Sequence, residues 1–172
     1  MSSKFETSKA AGAHKLLAHM EGNWEGIAKT WFEADILGDE SPMQANMRLI
    51  LDGRFLMIGY AGSMQGQPHE GLMLLGKQLS TDKFQTVWLD SFHTGTDMMF
   101  SESKRGADVL SVLGTYVYAT PEKETIWGWR TKIDMLHENK IIITAFNVAP
   151  DGEETKATEV VYKRIKEEQQ KS

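Results

Sequence analysis

The sequence predicts an all-β protein: a single antiparallel barrel of roughly ten strands, with a short N-terminal helix closing one end. Three observations predict it. A helix-like stretch over residues 10–20 runs directly into Gly22-Asn23-Trp24. About ten strand-like segments follow, each bounded by Gly, Pro, Asp or Asn. No helical pattern lies between them, so successive strands pair as hairpins and the sheet is antiparallel.

The helix is predicted from Leu16, Leu17 and Met20, which fall on one helical stripe that can cover the apolar end of a barrel. Gly22 ends the helix, as glycine commonly does just past a C-terminus. We therefore expect one domain over residues 1–172, with a frayed N-terminus at 1–9, a capping helix at 10–20, a barrel at 23–165 and a polar tail at 166–172.

The strands are predicted from apolar segments separated by turn residues. Asp52-Gly53 is typical of a tight hairpin, and Pro150-Asp151-Gly152 is typical of a turn. The predicted segments are Asn23–Glu33, Ala45–Leu51, Arg54–Gly62, His69–Lys77, Phe84–Phe92, Thr96–Ser103, Val109–Tyr118, Glu124–Asp134, Lys140–Val148 and Thr155–Ile165. Two of them, at 109–118 and 140–148, are apolar on both faces. A homodimer or the N-terminal helix would cover the outer face, and we predict a homodimer.

Composition excludes several classes of function. The 172 residues are 41% hydrophobic and 25% charged, as in an ordinary globular domain. No apolar run approaches the roughly 18 residues of a membrane span, and the first residues lack the apolar core of a signal peptide. The absence of cysteine is consistent with a cytoplasmic protein and excludes thiol chemistry. A net charge of −5 argues against a nucleic-acid partner.

Trp24 in the first strand and Arg164 at the end of the last form a pattern that resembles the lipocalin/calycin superfamily. In that superfamily, a first-strand Trp packs against an Arg or Lys of the last strand where the barrel closes. A guanidinium over an indole is worth about 0.5–2 kcal/mol, and it would pin together the two strands that must meet.

Further motifs are spread along nearly the whole chain: His14–Leu17, Gly22–Trp24, Leu51–Leu56, Gly71, Gly76, Trp88–Ser91 and Glu159–Arg164. Together they resemble the bacterial domain-of-unknown-function family fifteen-seventy-nine. The resemblance implies a ten-stranded calycin-like barrel and no known substrate. One departure is Leu75-Gly76-Lys77-Gln78, where the family usually has an aromatic residue and an aspartate after the glycine.

Asp90 is the candidate for chemistry, because Trp88 and Asp90 share a strand face with Phe84 and Phe92. If this face points inward, Asp90 is a buried carboxylate that needs a partner. Arg54, on the same strand face as Tyr60, and Arg130 are the candidate partners. The role would be to grip a ligand or to act as a general acid or base. A structural ion pair, or a solvent-facing Asp90, is the alternative.

Trp127 and Trp129 share one face of their strand and would form a flat apolar wall if it points inward, although ordinary core filling explains them equally well. We therefore predict a ligand-binding set of Arg54, Tyr60, Phe84, Trp88, Asp90, Trp127, Trp129 and Arg130.

The sequence gives no sign of a cofactor. Its five histidines are scattered and lack metal-binding spacing, so we predict no metal site, and haem is disfavoured because the last strand has no histidine. His93, which sits where a strand meets a turn, lines the barrel mouth or is simply solvated.

Three functions remain open. The first is binding of a small apolar or amphipathic molecule inside the barrel. The second is an enzyme that uses Asp90 in the cavity. The third is a structural or assembly module with a filled barrel.

Overall fold

The computed structural model describes residues 3–166 as two short helices followed by ten strands. None of the helices in this range is long and apolar enough to cross a membrane. The helices are α1 Ser3–Ala11 and α2 Ala13–Met20; the strands are β1 Gly22–Glu33, β2 Ile36–Ile50, β3 Phe55–Met64, β4 Gln67–Gln78, β5 Lys83–Asp90, β6 Met99–Glu102, β7 Ser111–Ala119, β8 Glu124–His137, β9 Lys140–Val148 and β10 Glu154–Arg164.

The strands form one closed antiparallel barrel, which confirms the predicted fold class. Each strand pairs with its neighbour in the chain, and β1 pairs with β10 to close the ring. The ring is uneven. The four-residue β6 pairs with β5 at four positions but with β7 at only two, Ser101↔Gly114 and Glu102↔Leu113.

The core lies inside the barrel because side chains alternate along each strand. In β5 every second residue is buried, namely Phe84, Thr86, Trp88 and Asp90. Asp90 is the last residue of this strand, and its side chain is 1% exposed. The inward orientation that the sequence left open is therefore the one that the fold adopts.

The helices close one end of the barrel. Leu17 and Met20 of α2 are fully buried in the core, and the Trp24 indole nitrogen donates to the Met20 carbonyl at 2.9 Å. Arg164 lies with its guanidinium carbon 4.2 Å from the centre of the Trp24 ring. The end of β10 is thus joined to the start of β1 and to the C-terminus of α2.

The prediction of a frayed N-terminus is wrong for residues 3–9, which belong to α1. Phe5 is buried against the His14 ring at 4.9 Å, edge to face, and the Arg54 guanidinium lies 4.4 Å from the Phe5 ring centre. These contacts hold α1 on the barrel, whereas its weakly patterned sequence predicts no stable helix. The predicted polar tail beyond Lys166 lies outside the described residues.

The boundaries of β2 also differ from the prediction. The strand begins at Ile36, nine residues before the predicted Ala45. Gly38 and Pro42 punctuate the segment and argue against a strand, but Pro42 points to the exposed face and the pairing with β1 carries through it. A long β1–β2 hairpin with bulges results, and it forms part of the open end of the barrel.

Candidate ligand-binding site

Asp90 is held by donors from three elements. Its Oδ1 accepts from the backbone N–H groups of Phe92 at 2.9 Å and His93 at 2.7 Å, and lies 3.0 Å from Nδ1 of the His93 ring. Its Oδ2 lies 2.8 Å from Nε2 of His69 and accepts from the Tyr60 hydroxyl. A carboxylate with this many donors is stable as the anion although it is buried.

The pairing of β3, β4 and β5 brings these side chains together. Tyr60 pairs with Gly71, and Gly71 pairs with Asp90, so the three residues form one row across the sheet. Because Gly71 has no side chain, the Tyr60 ring lies directly across it and reaches Asp90. His69 precedes Gly71 by two residues on the same inward face of β4, and His93 arrives from the loop after β5.

The electrostatics of the cluster follow from this geometry. Burial by itself would raise the pKa of Asp90, but the hydrogen bonds with His69, His93 and Tyr60 outweigh it and hold the pKa below its usual range. Burial and the neighbouring carboxylate raise the pKa of Tyr60 above its usual range, so this hydroxyl stays protonated and donates. Asp90 is therefore a fixed anion at neutral pH and is poorly suited to act as a general acid.

An aromatic layer covers the cluster. Trp88 and Trp129 are stacked, with ring centres 5.2 Å apart and planes 20° apart. The His93 ring lies 5.5 Å from Trp88 and 5.4 Å from Trp129. The Trp88 indole nitrogen donates to the Tyr60 hydroxyl at 2.7 Å, which connects the layer to the Asp90 cluster. The layer is apolar on its faces and polar at its edge.

Two spaces adjoin this layer. An interior cavity of about 80 Å³ lies on one side, lined by residues that include Tyr60, His69 and Asp90. A mouth of about 610 Å³ lies on the other, lined by residues that include Phe92 and Tyr116. Trp88, His93 and Trp129 line both spaces and thus separate them. The interior has room for a few water molecules, whereas the mouth has the volume of a small-molecule site.

The structure brings together four of the predicted binding residues: Tyr60, Trp88, Asp90 and Trp129. The two predicted arginines, Arg54 and Arg130, lie outside this cluster, and their predicted pairing with Asp90 is wrong. Arg54 donates to the Leu51 carbonyl and lies over the Phe5 ring, because β3 begins only after it. Arg130 pairs with Glu154 on the outer face of the barrel, at 2.8 Å between Nε and Oε1.

Phe84 and Trp127 also lie away from the cluster. Phe84 is buried at the helix end of β5, where the Lys77 ammonium lies 4.3 Å from its ring centre. Trp127 is half-buried and contacts Tyr118, with ring centres 6.2 Å apart. Neither residue lines the cavity or the mouth. Alternation along a strand thus predicted which face a side chain occupies, but not how far along the barrel axis it lies.

Two histidines complete the cluster. His93 lines the mouth, which was one of the two alternatives drawn from the sequence, whereas His69 was missed. His69, Asp90 and His93 each offer one ligand atom, and these atoms all lie within 4.8 Å of one another. The histidines are far apart in the sequence and lack the spacing of a metal-binding motif, so only the β4–β5 register places His69 beside Asp90. His93 follows Asp90 by three residues, and that short spacing was the one available signal.

A wider concavity of about 900 Å³ lies on the outer face of the sheet and is lined by residues such as Gln44, Asn46 and Glu70. These side chains are exposed and alternate with the buried ones, so the concavity is an open groove. The aromatic layer and the buried cluster instead meet at the mouth, which is therefore the better candidate.

Comparisons with known proteins agree on the fold. A family model described as "Protein of unknown function (DUF1579)" matches residues 9–164. The chain is similar in structure to Rv2717c from M. tuberculosis, with 15% identity, a TM-score of 0.56 and coverage of 91% of this chain and 99% of that one. It is also similar to the S-type phycobiliprotein lyase CPES from Guillardia theta, with 11% identity, a TM-score of 0.54 and coverage of 98% and 100%. No curated protein matches the chain at a significant level.

Proposed function

The chain belongs to the DUF1579 family, and on the geometry of its open end we propose that it binds a small amphipathic molecule at the barrel mouth. One observation carries the proposal: an aromatic-lined mouth of about 610 Å³ ends on a buried polar cluster. A flat apolar ligand body would lie against Trp129 and Phe92, and a polar end would reach His93. Sites of this kind combine an apolar wall with a few convergent polar groups.

The size of the interior limits where the ligand sits. A cavity of about 80 Å³ cannot take a long alkyl chain, so the body of the ligand lies in the mouth instead. The proposal rests on this geometry and not on the similar structures, because at 11% and 15% identity they establish the fold alone. The similarity to the phycobiliprotein lyase therefore agrees with a binding barrel but identifies no ligand for this chain.

A titration with anilinonaphthalene sulfonate, a fluorescent aromatic anion, tests the proposal. The protein is first treated with EDTA, and a control in denaturant excludes binding to unfolded chain. We expect saturable one-to-one binding with energy transfer from tryptophan. Phe92→Ala should weaken binding about fivefold, since an aromatic contact is worth roughly 0.5–1.5 kcal/mol.

Phe100→Ala is the matched control. Phe92 and Phe100 are 49% and 54% exposed, but only Phe92 lines the mouth. Equal effects of the two substitutions, or no binding by folded protein, would contradict the proposal and favour a filled structural barrel. Native mass spectrometry of freshly purified protein is the complementary measurement, because it reports a ligand carried through purification.

An enzyme is a second candidate, favoured by the contact between Asp90 and His93. Because Asp90 is a fixed anion, His93 would be the base and Asp90 would orient its ring. Once a ligand is identified, Asp90→Asn should preserve much of its binding and lose turnover. Equal turnover in both proteins would remove this candidate.

The predicted homodimer stays a prediction. Val117 and Ile126, paired across β7 and β8, are 59% and 66% exposed on the outer face. Light scattering of eluted protein, compared between wild type and Ile126→Lys, tests it: a dimer held by this face should dissociate in the variant.

A further inference from the structure

Among residues 3–166, the buried carboxylate of Asp90 forms ion pairs only with histidines. Its ion-pair partners are His69 and His93, which are neutral unless protonated, and no lysine or arginine of this range pairs with it. A buried charge is costly unless it is paired or coordinates a metal. The donors that the described residues supply to Asp90 include no lysine or arginine, so a bound cation would balance the charge of the carboxylate.

The spacing of the cluster fits a metal ion. His69 Nε2 lies 2.8 Å from Asp90 Oδ2, and His93 Nδ1 lies 3.0 Å from Asp90 Oδ1. Two metal–ligand bonds of about 2.1 Å at right angles hold their ligand atoms about 3.0 Å apart. An ion placed among these atoms would replace the His–Asp hydrogen bonds, and the two histidine nitrogens, which lie within 4.8 Å of each other, would have to come within about 4.2 Å, twice the bond length.

One atom of the cluster has a hydrogen-bonding need that the described residues do not meet. Nδ1 of His69 is buried and has no hydrogen-bond partner among them. Nδ1 lies across the ring from Nε2 and does not face Asp90, so its own partner would lie in the interior cavity that His69 lines. When Nε2 binds a metal, the ring proton moves to Nδ1, and the cavity that His69 lines is large enough for a water molecule to accept it.

We propose that His69, Asp90 and His93 bind one divalent transition-metal ion. Two imidazoles and one carboxylate suit zinc, iron or cobalt, whereas magnesium and calcium prefer oxygen ligands. The His93 side chain is 16% exposed and lines the mouth, which gives an ion a route to the site. Three protein ligands leave coordination positions free for an exogenous molecule. The proposal goes beyond binding of an amphipathic molecule and does not depend on it.

The test is a cobalt titration of tag-free, EDTA-treated protein, followed by the visible absorption of the bound ion. We expect one saturable site. His69→Gln, His93→Gln and Asp90→Asn should each weaken binding about 100-fold or more, because loss of even an outer contact to a metal ligand costs 10–100-fold. His19→Gln and His137→Gln are the controls, since both residues are exposed and lie outside the cluster.

A second readout uses the wild-type protein alone, so it remains valid even if a variant fails to fold. The His93 ring lies within 5.5 Å of Trp88 and 5.4 Å of Trp129, so cobalt in the site should quench tryptophan fluorescence with the same midpoint as the absorption change. Folding of each variant is checked by circular dichroism. No saturable absorption, unequal midpoints, or equal weakening by His137→Gln would overturn the proposal. Dye binding by EDTA-treated protein is measured separately, so each proposal can fail without the other.

Discussion

Replacing Arg164 should weaken the closure of the barrel more than any other single surface substitution near it. The half-buried guanidinium lies 4.2 Å from the Trp24 ring centre. It also donates to the backbone carbonyls of Glu21, His19 at 2.6 Å and Glu138 at 2.8 Å. One side chain thus connects the end of α2, the β8–β9 turn and both closing strands.

The magnitude follows from these contacts. A cation–π contact at a partly exposed site is worth about 0.5–1 kcal/mol. A cation at a helix C-terminus adds about 0.3–1 kcal/mol. Hydrogen bonds from a charged donor are worth about 1.5–3 kcal/mol, and less where solvent competes. Because these terms overlap, we expect Arg164→Ala to lower the free energy of unfolding by about 2–4 kcal/mol. Arg164→Lys should lose roughly half of that, since an ammonium cannot reach three acceptors in different directions.

Urea unfolding followed by far-UV circular dichroism measures the effect, because that signal does not depend on Trp24. Lys163→Ala is the matched control: Lys163 is the exposed neighbour in β10, and its loss should change stability by less than about 0.5 kcal/mol. A double-mutant cycle with Trp24→Phe should give a coupling of about 0.5–1 kcal/mol. A loss below about 0.5 kcal/mol for Arg164→Ala would refute the idea that this residue closes the barrel.

Three further outcomes are expected. Gly71→Ala should cost about 1–3 kcal/mol and shift tryptophan emission, because the new methyl group meets the Tyr60 ring, whereas Gly59→Ala has open space and should cost less in the same thermal melts. Folding lowers the pKa of Asp90, so the stability advantage of wild type over Asp90→Asn should be full above about pH 3.9, the unfolded-state pKa, and should shrink as the pH falls below it. Urea unfolding at a series of pH values measures this advantage, and a constant difference would contradict the expectation. Burial lowers the pKa of His14, so wild type should lose stability as the pH falls below about 6.5, and this dependence should be weaker in His14→Gln in the same experiment.

Local patterns were enough to predict the barrel and the face that carries Asp90. Alternation in β5 depends only on neighbours in the sequence, so Trp88 and Asp90 were placed on one face correctly, whereas the burial of that face was left open. The antiparallel order followed from short turns, which leave little freedom in how consecutive strands pair. These features are local, and for that reason one sequence was sufficient.

The partners of Asp90 depend instead on register across strands. Tyr60 reaches Asp90 across Gly71, which lies between their strands in the same row, and His69 lies two residues before Gly71 on the same face. No local pattern specifies which residues share a row. Arginine was the natural partner to expect for a buried carboxylate, but the sequence does not show that Arg54 lies before its strand begins. The helical structure of residues 3–9 was missed for the same reason, since Phe5 is held by contacts with His14 and Arg54.

The short β6 strand makes one side of the ring its weakest seam. With only two paired positions between β6 and β7, separating these strands breaks fewer hydrogen bonds than separating any long neighbouring pair. Met99 of β6 and Tyr116 of β7 both line the mouth, so fraying along this seam widens the entrance and leaves the helix-covered end shut. Amide hydrogen exchange should therefore be faster along this seam than in the longer strand pairs of the barrel.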